Sequence, residues 1–218
     1  MKKFVFALTF AIIIIMSMNF RCSKGYILPP PNDYEFIADV DIYPLKKTYS
    51  LSDTIWIETD LPSKDLFDNI TGQNINADTC NIPFGATYNE FGMSVTNPSN
   101  GFCKIISSDA YVAVDRAPWS TGALIHYGCG QPSFKCRVGF KPLYPGAYYL
   151  ALSSFGRLER CPSKVKPINA IIAYTYKNVD LNLDVYNSLP ASIKGDSNSV
   201  ASFTDQINNR EIFVFTVQ

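Results

Sequence analysis

From Tyr34 to Tyr43 the chain alternates: Phe36, Ala38, Val40 and Ile42 fall on one side, Glu35, Asp39 and Asp41 on the other. A period of two predicts a strand buried on one face. Ser50-Leu-Ser-Asp53 reads as a turn, and Thr54-Ile-Trp-Ile-Glu-Thr59 as the next strand. Residues 61–72 read as a connection with polar turns. Residues 80–96 are strand-like, but Pro83, Gly85 and Gly92 predict bends or bulges within them. After the turn cluster Asn97-Pro-Ser-Asn-Gly101, short strands are predicted over 102–106, 110–114, 123–127 and 134–140. Residues 168–176 are almost all apolar or β-favouring, as in a central strand. Val179, Leu181, Leu183 and Val185 then alternate with polar neighbours and predict a strand with a solvated face. Asn198 or Ser199 is positioned to cap a short helix over 200–208. Ile212-Phe-Val-Phe-Thr-Val217 is apolar on both faces, hence interior to a sheet. Many short strands, frequent turns and one short helix near the C-terminus predict an all-β fold, an antiparallel sandwich with elaborated loops.

The most specific local signal is Leu143-Tyr-Pro-Gly-Ala-Tyr148, which leads into a strand over 148–152. The run Leu143, Pro145, Gly146, Tyr148 resembles the tyrosine corner of immunoglobulin-like and fibronectin type III sandwiches. There a tyrosine hydroxyl bonds backbone a few residues upstream and fixes the crossing between sheets. The resemblance implies an immunoglobulin-like sandwich; the plainer alternative is a tight Pro-Gly turn before an unrelated strand.

The N-terminus changes the picture from fold to address. Lys2 and Lys3 precede an apolar run from Phe4 to Met16, then come Arg21, Cys22 and Pro29-Pro30-Pro31. A positive start and an apolar stretch of about 13 residues predict a secretory signal, too short for a membrane span. The expected organisation is a signal peptide over 1–21, a Pro-rich tether over 22–33 and one sandwich domain over 34–218. Cys22 stands where a bacterial lipoprotein carries its lipid, with an extended tether directly behind it. Asn19 and Arg21 depart from the apolar and small residues that lipid attachment uses. The alternative is plain secretion, with Cys22 free or bridged.

The chain has 19 basic and 19 acidic residues; Lys2, Lys3 and Arg21 are the charges of residues 1–21, so the remainder is mildly acidic. That gives no electrostatic case for nucleic acid. The cysteines are Cys22, Cys80, Cys103, Cys129, Cys136 and Cys161, with no C-x-x-C, and His126 is the sole histidine. A His/Cys zinc site is therefore not expected, nor any other metal or cofactor. Export permits disulfides, and Cys129 with Cys136, flanking Gly130-Gln-Pro-Ser133, is a candidate pair. If Cys22 is lipidated, five cysteines remain and at least one is unpaired.

Candidate chemistry is sparse. Asp180-Leu-Asn-Leu-Asp184 lacks the Gly and Glu that a calcium loop requires at its sixth and twelfth positions. Asp39 with Asp41, and Glu58 with Asp60, pair carboxylates near outer strand faces, the raw material of glycoside hydrolysis. Such pairs are common in secreted β-proteins. No Gly-x-Ser-x-Gly elbow accompanies His126, so no hydrolase triad is legible. Asn69-Ile-Thr71 matches a glycosylation sequon but stands behind a bacterial-type prefix. Trp119, in a loop, is a candidate for stacking on a sugar or anchoring a protein, with Tyr127, Phe134 and Tyr144 as neighbours in an aromatic patch. Trp56, in a strand, reads as core.

Tyr34 to Tyr43, the Lys47-Thr-Tyr-Ser-Leu-Ser-Asp-Thr-Ile-Trp-Ile57 segment, the Thr71-Gly72 turn, the Pro145-Gly146 corner and the final strand together resemble a loose group, the uncharacterised exported lipoproteins of Gram-negative bacteria. That resemblance implies a β-sandwich held by an N-terminal lipid at the outer membrane or cell surface; the alternative is a soluble periplasmic or secreted protein. The expected function is non-catalytic, a cell-envelope sandwich that binds an unknown protein or glycan or plays a structural role. A carbohydrate-binding accessory module and a secreted hydrolase are the alternatives.

Overall fold

The computed structural model describes residues 34–61, 65–77, 80–92, 101–107, 112–117, 120–127, 133–160, 168–178, 180–195 and 197–218. The alternating segment Tyr34–Tyr43 forms β1, with Phe36, Ala38, Val40 and Ile42 buried. It belongs to a first sheet with β3 (Ile55–Leu61), β4 (Asp65–Asp68), β5 (Gln73–Asn76), β7 (Cys103–Ser107), β10 (Phe134–Pro142) and β13 (Ala170–Tyr176). The second sheet holds β2 (Thr48–Tyr49), β6 (Cys80–Glu90), β8 (Val112–Ala117), β9 (Ser120–Tyr127), β11 (Gly146–Leu152), β12 (Glu159–Arg160) and β14 (Ile212–Val217). Their order is β5-β4-β1-β3-β10-β7, with β13 beside β1, and β2-β14-β11-β6-β9-β8, with β12 beside β6. The protein is a predominantly β sandwich of two sheets. Its pairing is antiparallel except where β13 runs parallel to β1 and β2 parallel to β14.

The two inner faces meet in a continuous aromatic core. Phe84 packs edge-on against Tyr174 at 4.9 Å, and Tyr88 stacks on Phe140 at 6.2 Å. Two buried tyrosines of β13 reach across the sandwich. Tyr174 donates to the Pro83 carbonyl at 2.8 Å, and Tyr176 to that of Leu150 at 3.2 Å. Each is an amphipathic side chain whose ring fills the core while its hydroxyl finds backbone on the facing sheet. Burial pushes both phenols well above their ordinary range.

Several expectations need correcting. The 61–72 connection contains β4 and a hairpin to β5. The alternation of Leu66 inward and Phe67 outward was masked by Asp68, a carboxylate on the buried side. It is tolerated there because it accepts N–H groups from Glu35 at 2.8 Å and Thr71 at 2.9 Å, and a longer one from Ile70 at 3.3 Å. It also takes the Thr71 hydroxyl. Hydrogen bonds from several donors offset the desolvation penalty of a buried charge. Pro83 and Gly85 do not interrupt β6, which runs unbroken for 11 residues between β9 and β11. The expected strand after Val179 (itself outside the described residues) is instead a turn into helix α1 (Leu183–Ser188). Asn182 takes a left-handed φ of 63° there, and its amide donates to the carbonyls of Lys46 at 3.0 Å and Val214 at 2.8 Å. Asparagine tolerates that conformation and ends the two-residue period.

The C-terminal helix, α3 (Ser197–Asn208), begins earlier than the expected 200–208, and a short α2 (Ala191–Lys194) precedes it. These helices explain why β14 is apolar on both faces. Phe203 of α3 and Tyr186 of α1 form an aromatic cluster with Phe91 and Tyr149 over the second sheet. The helices thus cover the second sheet at β14 and β11.

Candidate binding face

The outer face of the first sheet is organised in cross-strand rows. Register places Tyr43 beside Trp56 and Trp56 beside Gly139; Asp41 beside Glu58 and Glu58 beside Arg137; and Asp60 beside Lys135. Trp56 therefore faces outward and is half-buried, not part of the core as its strand position suggested. Its ring lies over Gly139, where a Cβ would meet Trp56 Cζ3 at 2.9 Å and Thr54 Cγ2 at 2.8 Å. Glycine is required by that close approach. The guanidinium of Arg137 covers the Trp56 ring at 4.3 Å from its centroid and lies 5.2 Å from that of Tyr43. Cation–π contacts of this kind contribute about 0.5–2 kcal/mol, depending on desolvation.

Charges knit the adjoining rows. Tyr43 donates to Glu58 Oε2 at 3.2 Å, Lys135 lies 3.2 Å from both Glu58 and Asp60, and Lys177 lies 2.7 Å from Asp41. Hydrogen bonds to Glu58 and Asp60 raise the Lys135 pKa, and the one to Asp41 raises that of Lys177. Desolvation raises the Tyr43 phenol, with Glu58 adding to it and Arg137 opposing it. Three of the four carboxylates considered as acid–base pairs are thus held by lysines. A general acid needs the opposite environment, apolar or crowded with like charge. Among the described residues no group of three His, Cys, Asp or Glu side chains converges to hold a metal.

Beside this platform the sheet forks. Lys177 N–H donates to the Val40 carbonyl on the β13 edge of β1. The opposite edge is shared: Asn69 N–H bonds the Glu35 carbonyl near β4, and the Thr59 hydroxyl of β3 donates to the Asp39 carbonyl at 3.1 Å. Between these two attachments lies a cavity of about 260 Å³ lined by Ile37, Asp39, Asp60, Leu61, Asp65, Leu66, Phe67 and Lys177. Ile37 and Phe67 are 48 % and 54 % exposed, and Ile70, in the adjoining turn, 55 %. Exposed large apolar side chains gathered at one cleft are the usual mark of an interaction surface.

The sequence candidates fall elsewhere. Trp119, Cys129 and Cys22 lie outside the described residues. Tyr127 ends β9 opposite Ile82, and its side chain is not described. Cys136 is buried in β10, and so is Phe134, which is core and not part of an exposed aromatic patch. Tyr144 is half-buried in the turn that carries the chain from β10 to β11, and so from one sheet to the other. Its carbonyl accepts the Tyr148 hydroxyl at 3.1 Å, with the Pro145 carbonyl at 3.4 Å. Leu143, on the same turn, is exposed. Gly146 lies under the Tyr148 ring, which a Cβ would meet at 3.0 Å. Of the fork's lining, Asp39 and Asp60 are sequence candidates, whereas Ile37, Asp65 and Phe67 are not, although Phe67 is a large apolar side chain inside a polar stretch.

No protein-family model matches the sequence, and no curated protein matches it. Among solved structures, the chain resembles a cohesin module from a Clostridium perfringens family 33 glycoside hydrolase. Identity is 10 %, the TM-score is 0.34, and 65 % of this chain and 99 % of that one are covered. A cohesin–dockerin complex from Clostridium thermocellum is similar at 10 % identity and a TM-score of 0.28, over 62 % of this chain and 99 % of that one. Likenesses this distant carry no functional argument.

Proposed function

We propose that this protein is a non-catalytic binding module that engages a protein partner through the outer face of its first sheet. The observation that carries the reading is that this one face holds both the Trp56–Arg137–Tyr43 stack and, at the fork, the exposed Ile37 and Phe67. Aromatic and arginine side chains beside apolar contacts are the composition of interface centres. The lysine-held carboxylates favour binding over hydrolysis, because they stabilise ionised acids and not a proton donor. The proposed setting is the cell envelope, with export directed by residues 1–21 and a lipid on Cys22. Mass spectrometry of the mature N-terminus tests the anchor: a lipidated Cys22 is expected, and an unmodified start at Met18 would sink it.

The surface reading is tested by an Ile37→Ser/Phe67→Ser variant, which alters two exposed side chains. It should fold, as judged by circular dichroism and thermal melting, yet fail to replace the wild type in the cell that makes it. Full replacement by a folded variant would remove the reading. A glycan array with wild type and Trp119→Ala addresses the carbohydrate alternative, which needs wild-type binding that Trp119→Ala abolishes.

A further inference from the structure

We infer that the cavity at the fork receives a lysine side chain of the partner, its aliphatic stem against Ile37, Leu61, Leu66 and Phe67 and its ammonium against Asp39 and Asp65. The inference rests on reading this face as the binding surface, and it names the chemistry of what binds there. The lining holds three carboxylates, Asp39, Asp60 and Asp65, against one ammonium, Lys177. Lys177 bonds Asp41, outside the lining, and is also drawn by Asp39 and Asp60, while Lys135 is shared between Asp60 and Glu58. Among the described residues Asp65 accepts a neutral amide hydrogen bond, from Asn76 Nδ2 at 3.1 Å. Among the described residues no ion pair engages Asp39 or Asp65. Among the described residues the lining therefore carries more negative charge than positive.

Two features separate an organic cation from a metal ion. The carboxylates do not converge as metal ligands do, and four apolar side chains line the same space. A hard cation gains nothing from apolar walls and requires clustered oxygens. A lysine side chain is amphipathic, with a four-carbon stem that buries along apolar surface while its head stays polar. Its stem and its charge both match a lining of four apolar side chains and three carboxylates. The geometry of the fork creates the cleft: β3 and β4 share one edge of β1, so the outward residues Ile37 and Asp39 lie between their two attachments.

The test is an NMR titration of the ¹⁵N-labelled protein with n-hexylammonium, hexanoate and 1-hexanol, which share one chain and differ in head group. Hexylammonium is expected to shift the backbone amides of Ile37, Asp39, Leu61 and Phe67 saturably, and hexanoate not to. Asp39→Asn/Asp65→Asn, with its fold verified by circular dichroism, should weaken hexylammonium binding about tenfold, the loss of a charge-assisted contact. Lys177→Gln, which removes the competing ammonium, should strengthen it. Equal shifts from all three probes would overturn the lysine assignment while leaving an apolar binding surface intact. No saturable shift with hexylammonium would also overturn the assignment, and the surface reading would then stand or fall separately on the Ile37→Ser/Phe67→Ser replacement experiment.

Discussion

The guanidinium of Arg137 lies 4.3 Å from the centre of the Trp56 ring, and its buried Nε has no hydrogen-bond partner among the described residues. A polar atom left in that state is costly unless its neighbours hold it in place. Here the holding is done by two aromatic rings, with Trp56 in turn seated on the bare backbone of Gly139. Arg137, Trp56 and Gly139 form one layered unit, built outward from the sheet.

That layering makes two substitutions unequal. Gly139→Ala should destabilise the protein by about 1–3 kcal/mol, the usual cost of forcing a methyl into occupied space. Arg137→Met keeps much of the stem and loses the cation, and should cost about 1 kcal/mol. Urea unfolding gives both values. In a Trp119→Phe background, the remaining tryptophan fluorescence should shift to the red for Gly139→Ala, because Trp56 is lifted off the sheet.

The two sheets are tied by hydroxyls as well as by apolar packing. Tyr174→Phe and Tyr176→Phe each remove one hydrogen bond across the sandwich, to Pro83 and Leu150. Each should lower stability by about 1 kcal/mol in chemical denaturation, with the ring packing retained. Tyr148→Phe should do the same by freeing the Tyr144 carbonyl.

Acid should weaken the β4–β5 hairpin. Burial alone would raise the Asp68 pKa, but the hydrogen bonds from Thr71, Glu35 and Ile70 outweigh it and hold the carboxyl below its usual value. A lowered folded-state pKa stabilises above the unfolded value, near 4, and the contribution is lost as pH falls through the folded pKa. Asp53, bonded by the Ser50 N–H, and Asp184, bonded by Lys47, act with the same sign. Melting temperature should therefore drop on going from pH 7 to pH 3. Asp68→Asn should melt lower than wild type at pH 7 and lose less on acidification.

Alkali should act through the core tyrosines. Burial pushes the Tyr49 phenol up to about 12, and it raises Tyr88 and Tyr148 as well. A raised pKa gives stability that is full below the unfolded value, near 10, and is lost as pH climbs through the folded value. Absorbance at 295 nm should show the buried phenols ionising together with the loss of tertiary structure, and exposed tyrosines ionising before it.

Much of this fold is legible in the chain because one face of most strands is buried and the period of two survives, as in β1. The sequence misleads where one side chain does something its type does not announce. Asp68 hides a strand because its burial depends on N–H groups contributed from Glu35 and the following turn. Asn182 looks like the polar position of a strand but is a left-handed corner. Trp56 looks like core because a tryptophan in a strand usually is, and only the pairing with β10 shows that Gly139 and Arg137 give it a place outside. The fork is invisible for a similar reason: Ile37, Asp39, Asp65 and Phe67 come together only when two strands share one edge of β1.

The binding surface is tested most directly by site-specific photo-crosslinking in the cell that makes the protein. A benzoylphenylalanine at position 67 is compared with one at position 201, an exposed site on α3. A discrete adduct is predicted from position 67, absent from position 201 and lost when Ile37→Ser is added. No adduct at position 67, or the same adducts from both positions, would contradict the account.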